Sequence, residues 1–241
     1  MCTVTYIPTT IEGAFVLTSN RDEVEYRPTL PPAAYHNGNI DIACPKDEKA
    51  GGSWIAINNK SNINCLLNGG FVAHKKEKHH TVSRGIILLE FTKSEFSAYD
   101  FFAEKDLHNV EPFTIVTIKQ LDGKAIDFTE FIWDGDSKHF RQPEKDKAHI
   151  WSSVTLYNEE QRRLRKEWFT NFIAENKGNL TSDNILGFHS GNHSSDNSIN
   201  VIMLREGGLK TVSITQVTTK ESQLKMSYFD LLNNLKTVLI I

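Results

Sequence analysis

Short alternating runs dominate the first third of the chain. "CTVTYIP" and "AFVLTSN" place apolar or β-branched residues at every second position, the period of a half-buried strand. "TTIEG" between them carries turn chemistry, so the pair predicts a hairpin. "SWIAIN" and "INCLLNG" predict a second hairpin around "NKSN", entered through Gly51 and Gly52. The proline-rich "RPTLPPAAYHNG" predicts an irregular surface loop.

The period then changes. "SRGIILLEF" and "SEFSAYDFFAEK" space apolar residues at i, i+3 and i+4, which predicts two helices, with Ser94 capping the second. "FTIVTIK", a turn at "LDGK", "DFTEFIWDG" and "HIWSSVTLY" return to strands. "NEEQRRLRKEWFTNFIAENKG" is the clearest helix: Asn158 caps it, Glu159 and Glu160 suit its positive end, and Gly178 stops it. "INVIMLRE" and "LKTVSITQV" predict a hairpin over "GG", and "QLKMSYFDL" a further strand. The apolar "LKTVLII" reads as a closing strand or a tail docked on the core. Strands that neighbour one another in sequence, with helices grouped between them, predict antiparallel sheets covered by helices. One domain over residues 1–241 is expected.

Composition narrows the function classes. A chain of 241 residues buries roughly 70% of its unfolded surface, enough for a real core. The charged fraction of 24% and apolar fraction of 39% are those of a soluble globular protein. A net charge of -3 lacks the basic signature of a nucleic-acid binder. No run approaches the roughly 20 apolar residues of a membrane span, and the start has no secretory pattern. Cys2, Cys44 and Cys65 follow neither a disulfide framework nor a zinc spacing, so a reduced, cytoplasmic setting without a cofactor is expected.

The chemistry concentrates at the first hairpin. With a turn centred near Ile11, Cys2 lies opposite about Asn20, and alternation sets Cys2, Asn20 and Asp22 on one face and Arg21 on the other. A one-residue register slip, or a bulge, brings Arg21 to the cysteine side instead. A nearby cation favours the thiolate, the nucleophilic form. Once Met1 is removed, Cys2 also carries a free α-amino group, a base of pKa roughly 7.7–8.0. Asp22 could hold that ammonium, and Arg21 could tune the thiol or grip a substrate carboxylate. The same residues fit a plainer reading: a small core thiol beside strand-end turn chemistry and a surface ion pair.

At these residues the sequence resembles the NRDE family, which includes the transport and Golgi organisation protein two of animals. The resemblance rests on "MCTVTYIP", "LTSNRDE" followed by "YRP", "GGSWIAIN", "LLNGG", "SRG", "PFTIV", "WSSVTLY" with "RRLRKEWF", "HSG" and "VSITQV", in that order. The family is similar to the N-terminal nucleophile hydrolases, near the cysteine amidases of penicillin V and conjugated bile salts. The resemblance implies an α+β fold, a four-layer αββα sandwich of two antiparallel sheets. It implies Cys2 as nucleophile, with Arg21 and Asp22 close by and Asn68 of "LLNGG" in the oxyanion hole. Asn20 and Ser153 are the candidate substrate contacts. Relatives often read Ser-Asn where this chain reads "SSVT", so Ser153 takes the place of an asparagine. The implied function is hydrolysis of non-peptide amide or related acyl bonds in a small-molecule substrate. The alternative is a non-catalytic small-ligand carrier on the same fold, motivated by the adjacency of Arg21 and Asp22 and by Ser153.

Other candidates read more plainly. His189 and His193 have the spacing of a zinc pair, but "HSGNHSSDNS" is rich in helix breakers, reads as a polar loop, and supplies no evident third ligand; no metal is expected. "KKEKHH" reads as an exposed mixed-charge loop. Arg162, Arg163 and Arg165 are expected on a solvated helix face, one of them within reach of an anionic substrate. Trp54, Trp151 and Trp168 are expected to anchor the core.

Overall fold

The structure is a computed structural model, and it describes residues 3–9, 15–220 and 223–241. The elements run in chain order. β1 (Thr3–Pro8), β2 (Phe15–Val24), β3 (Thr29–Asn37), β4 (Ile40–Asp47), β5 (Ile55–Asn58) and β6 (Asn62–Asn68) come first. α1 (Arg84–Lys93) and α2 (Ala98–Glu104) follow, then β7 (Phe113–Leu121), β8 (Lys124–Trp133), β9 (Lys138–Arg141) and β10 (His149–Ser152). α3 (Glu159–Glu175) and α4 (Ser182–Ser190) precede β11 (Leu209–Lys220), β12 (Gln223–Asp230) and β13 (Leu235–Ile240).

Every ladder between these strands is antiparallel. One sheet has the order β10-β1-β2-β11-β12-β13, and the other runs β3 to β9 in sequence order. The sheets pack face to face through one apolar cluster that includes Val4, Leu17, Trp54, Ile55, Cys65 and Val217. A second cluster, with Leu88, Phe91, Phe102 and Phe113, joins α1 and α2 to the outer face of the β3–β9 sheet. A third, with Ile7, Val16, Phe169, Ile185 and Phe188, joins α3 and α4 to the outer face of the β1 sheet. Period-2 strands with two apolar faces make this possible, because each sheet is covered on both sides. The result is the expected αββα arrangement.

Several local expectations change. Residues 29–37, read as a loop, form the edge strand β3; Pro31 and Pro32 sit where its ladder with β4 shifts register. Proline cannot donate to a ladder, so an edge and a bulge are where a strand tolerates it. Ser94 closes α1, and Ser97 caps α2 by accepting the Asp100 N–H. Asn158 caps α3 as expected, in a reciprocal box with Gln161. "INVIMLRE" forms no strand: its pairing with β11 is a single bridge, Leu204 to Lys210. "LGFHS", read partly as loop, completes α4. The turn expected at residues 9–13 lies mostly outside the described residues, as do Met1 and Cys2.

Candidate functional site

β2 carries the polar tetrad at its C-terminal end, and its first eight residues are buried. Neighbouring side chains on a strand point to opposite faces, so Asn20, Arg21 and Asp22 diverge. The observed β1–β2 register pairs Thr3 with Asn20, one residue off the spacing expected from a turn at Ile11. A bulge in the β2–β11 ladder falls between Thr211 and Ser213, opposite Asp22 and Arg21.

Asn20 and Asp22 face the helix layer. The Asn20 amide donates to the carbonyls of His189 (3.1 Å) and Val201 (3.0 Å), and its Oδ1 accepts from His189 Nδ1 at 2.6 Å. His189 Nε2 lies 2.7 Å from the Thr5 hydroxyl, which donates to it when the ring is neutral. Burial, with His193 and Arg165 nearby, pushes its pKa down to about 3. Asp22 accepts from the Tyr157 hydroxyl (2.7 Å) and the Thr211 hydroxyl (2.6 Å), and Asp22 and Tyr157 each take part in further interactions. Neither Asn20 nor Asp22 lines either of the two cavities bordered by Asn68.

Arg21 faces between the sheets. Its guanidinium lies 4.7 Å from the Trp54 ring centroid and donates to Asp47 at 2.7 Å. Asp47 also takes Arg27 at 2.6 Å, and Glu23 sits 3.3 Å from Arg27. This network lines one wall of a cavity of about 290 Å³. Glu111 organises the opposite wall, with Arg84 at 3.4 Å, His74 at 3.2 Å and Lys76 at 3.8 Å. Burial alone would raise the Glu111 carboxyl, but Arg84, His74 and Lys76 outweigh it and hold it below the ordinary range.

Asn68 ends β6 and lines both this cavity and a second one of about 430 Å³. The backbone there is pinned on three sides. The Ser153 hydroxyl donates to the Asn68 carbonyl at 2.8 Å, Gly69 N–H donates to Pro112 O at 2.9 Å, and the Thr114 hydroxyl donates to Gly69 O at 3.0 Å. Gly69 has φ +90°, and a Cβ on it would stand 2.3 Å from Val154, so only glycine fits. Among the described residues nothing hydrogen-bonds to the Asn68 side-chain amide. The junction of the two cavities therefore offers an uncommitted donor.

Cys44 and Cys65 lie in the core, and burial pushes their pKa values up to about 11 and about 12. Neither is a nucleophile. Of the expected residues, then, Arg21, Asn68 and Ser153 border the cavities, Asn20 and Asp22 brace the strand against α4 and Tyr157, and Cys2 lies outside the described residues.

The arginines of α3 depart most from expectation. Arg165 is 0% exposed, not solvated. Its guanidinium covers Tyr157 at 3.6 Å, Nε donates to Ile199 O at 3.2 Å, and Nη1 and Nη2 donate to Thr3 Oγ1 and Asn200 O. Arg162 is half-buried in the wall of the second cavity, and only Arg163 keeps to the solvated face. Asp47, Glu111 and Arg84 were not singled out in the sequence; isolated charges after strands or before a helix resemble any surface residue. His189 and His193 belong to α4 and its packing, and no group of described residues has the makeup of a metal site.

The family model described as Transport and Golgi organisation 2 matches residues 1–235. No curated protein matches by sequence. Among solved structures, the Caenorhabditis elegans ortholog of N-acylethanolamine-hydrolyzing acid amidase is 9% identical at a TM-score of 0.60, over 90% of this chain and 92% of that one. A mutant conjugated bile acid hydrolase from Clostridium perfringens is 11% identical at a TM-score of 0.55, over 99% and 92% of the two chains. Penicillin V acylase from Agrobacterium tumefaciens is 8% identical at 0.52, over 100% and 86%. These likenesses establish the fold. No described helix is long and apolar enough to cross a membrane.

Proposed function

The chain belongs to the Transport and Golgi organisation 2 family, and from that premise and its acylase-type fold we propose that it hydrolyses non-peptide amide or related acyl bonds, with Cys2 as N-terminal nucleophile. The observation that carries the reading is the uncommitted Asn68 amide where two cavities meet, on a backbone held by Ser153, Pro112 and Thr114. Arg21 lines one of those two cavities, the one of about 290 Å³. The solved neighbours named as amidase, bile acid hydrolase and acylase support the same class.

In this reading removal of Met1 frees the Cys2 amine. The amine takes the thiol proton as sulfur attacks the carbonyl carbon, and then delivers it to the departing nitrogen or oxygen. The Asn68 N–H steadies the oxyanion. Water cleaves the resulting thioester, releasing the acid and restoring the thiol. Arg21 favours the thiolate, Asp22 supports the ammonium, and Asn20 and Ser153 hold the strand and loop that position them. Residues 1–241 act as one domain.

Mass spectrometry should find Met1 absent from protein made in its native host. A thiol reagent at pH 7.5 should label one cysteine fast, and none in Cys2→Ala. A panel of N-acyl aminocoumarins should give turnover that Cys2→Ala abolishes and Asn68→Ala lowers about 10²-fold. A retained Met1 together with an unreactive Cys2 would overturn the reading. One observation favours the carrier alternative: Arg21 is already ion-paired with Asp47 at 2.7 Å. A carrier keeps its cellular function in Cys2→Ala.

A further inference from the structure

α3 brings three basic side chains, Arg162, Arg163 and Lys166, to the wall of the 430 Å³ cavity, and β9 adds Arg141. Their pairing differs. Arg163 is engaged by Glu160 (3.4 Å) and Glu167 (3.3 Å). Arg141 reaches Glu130 at 3.7 Å, and Glu130 also accepts from Trp151 Nε1 at 2.8 Å. The Arg162 side chain has neither an ion pair nor a hydrogen bond among the described residues, and its Nε is sealed from solvent without an acceptor. Glu159 lines the same cavity, yet no ion pair joins it to Arg162. Lys166, one turn further along α3, also lacks an acid partner among the described residues.

A half-buried guanidinium with an unsatisfied Nε is costly to keep. Every other described arginine donates to a carboxylate or carbonyl, except Arg141, which forms an ion pair with Glu130. The wall also carries an apolar surface of Leu67, Phe71, Ile132, Ile150 and Val154, beside the polar Asn68 and Ser153 and the two acids Glu130 and Glu159. The volume is that of a small-molecule pocket. We propose that this cavity binds an amphiphile with an anionic head, a carboxylate or a phosphate, and that Arg162 is the residue that grips the head while Lys166 adds attraction. A guanidinium fork matches the two oxygens of either group. The inference takes from the functional reading only that the cleft holds a small molecule, and it does not require hydrolysis.

Calorimetric titration of the full chain with octanoate, octyl phosphate and octanol tests it. At least one of the two anions should bind tenfold or more tighter than octanol. Arg162→Gln should remove that preference while leaving octanol affinity and the melting temperature unchanged. Arg162→Lys should restore part of it. Tighter binding of octyl phosphate or of octanoate identifies the head. Equal affinity for octanol and both anions, or an anion preference that survives Arg162→Gln, would overturn the proposal. Turnover assays on the unsubstituted chain separate the two readings: anion selectivity in a parent protein that turns over none of the N-acyl aminocoumarins leaves this inference standing and removes the hydrolase.

Discussion

Asp47→Asn removes one charge and little else. The amide keeps an oxygen for the Ala50 N–H, which Asp47 Oδ1 accepts at 2.8 Å. What it cannot keep is the anion shared by Arg21 at 2.7 Å and Arg27 at 2.6 Å. The Arg21 side chain is only 4% exposed, so it cannot turn to water, whereas Arg27 is 37% exposed and can. Stranding a buried charge costs about 3–5 kcal/mol, and losing an exposed pair about 0–1 kcal/mol. Glu23, 4.0 Å from Arg21, offsets part of the loss. A net destabilisation of about 3 kcal/mol follows, and in a chain of this size that lowers the melting temperature by about 6–12 °C. Thermal and urea unfolding measure it. The companion Arg21→Met, and the double variant, complete a cycle whose coupling should be about 1.5 kcal/mol or more. A loss under about 2 °C, or additivity within about 0.5 kcal/mol, would refute the idea that Asp47 neutralises Arg21.

Acid stability carries a second prediction. His189, with its pKa lowered to about 3, stays neutral in the native state, while the unfolded chain binds its proton near pH 6.5. The unfolded state thus holds more protons between those values. The His189 contribution is complete above pH 6.5 and is lost as pH falls through that window, by about 2 kcal/mol at pH 5. His189→Gln should flatten the difference between pH 7 and pH 5 by that amount, and an unchanged slope in urea titrations would reject the buried neutral ring. Gly85→Ala should destabilise by about 2 kcal/mol or more, because its Cβ would stand 2.8 Å from Ser53 O; a melting temperature equal to the parent's would show that α1 can shift away from that backbone. Asn158→Ala should cost about 1 kcal/mol through loss of the α3 cap, read by urea unfolding, with no effect on Cys2 reactivity.

Local pattern was enough to find most of the elements. Alternation located β2, β5, β6, β7 and β8, and cap chemistry located the start of α3, because both are written in neighbouring residues. The motifs around Asn20–Glu23 and Asn68 also signalled the family and the fold. Pattern failed where a partner elsewhere overrode propensity. β3 contains two prolines, and only its place at a sheet edge beside β4 makes it a strand. The face that each member of the tetrad presents depended on the β1–β2 register and on the β11 bulge, neither of which is written in β2 itself. Arg165 and Arg162 look alike in sequence and differ only in tertiary surroundings: one is enclosed by Tyr157, Thr3 and Asn200, and the other opens on a cavity without a partner. A strand or helix arises from short-range periodicity, but a side chain's charge partners are set by which distant segments pack against it.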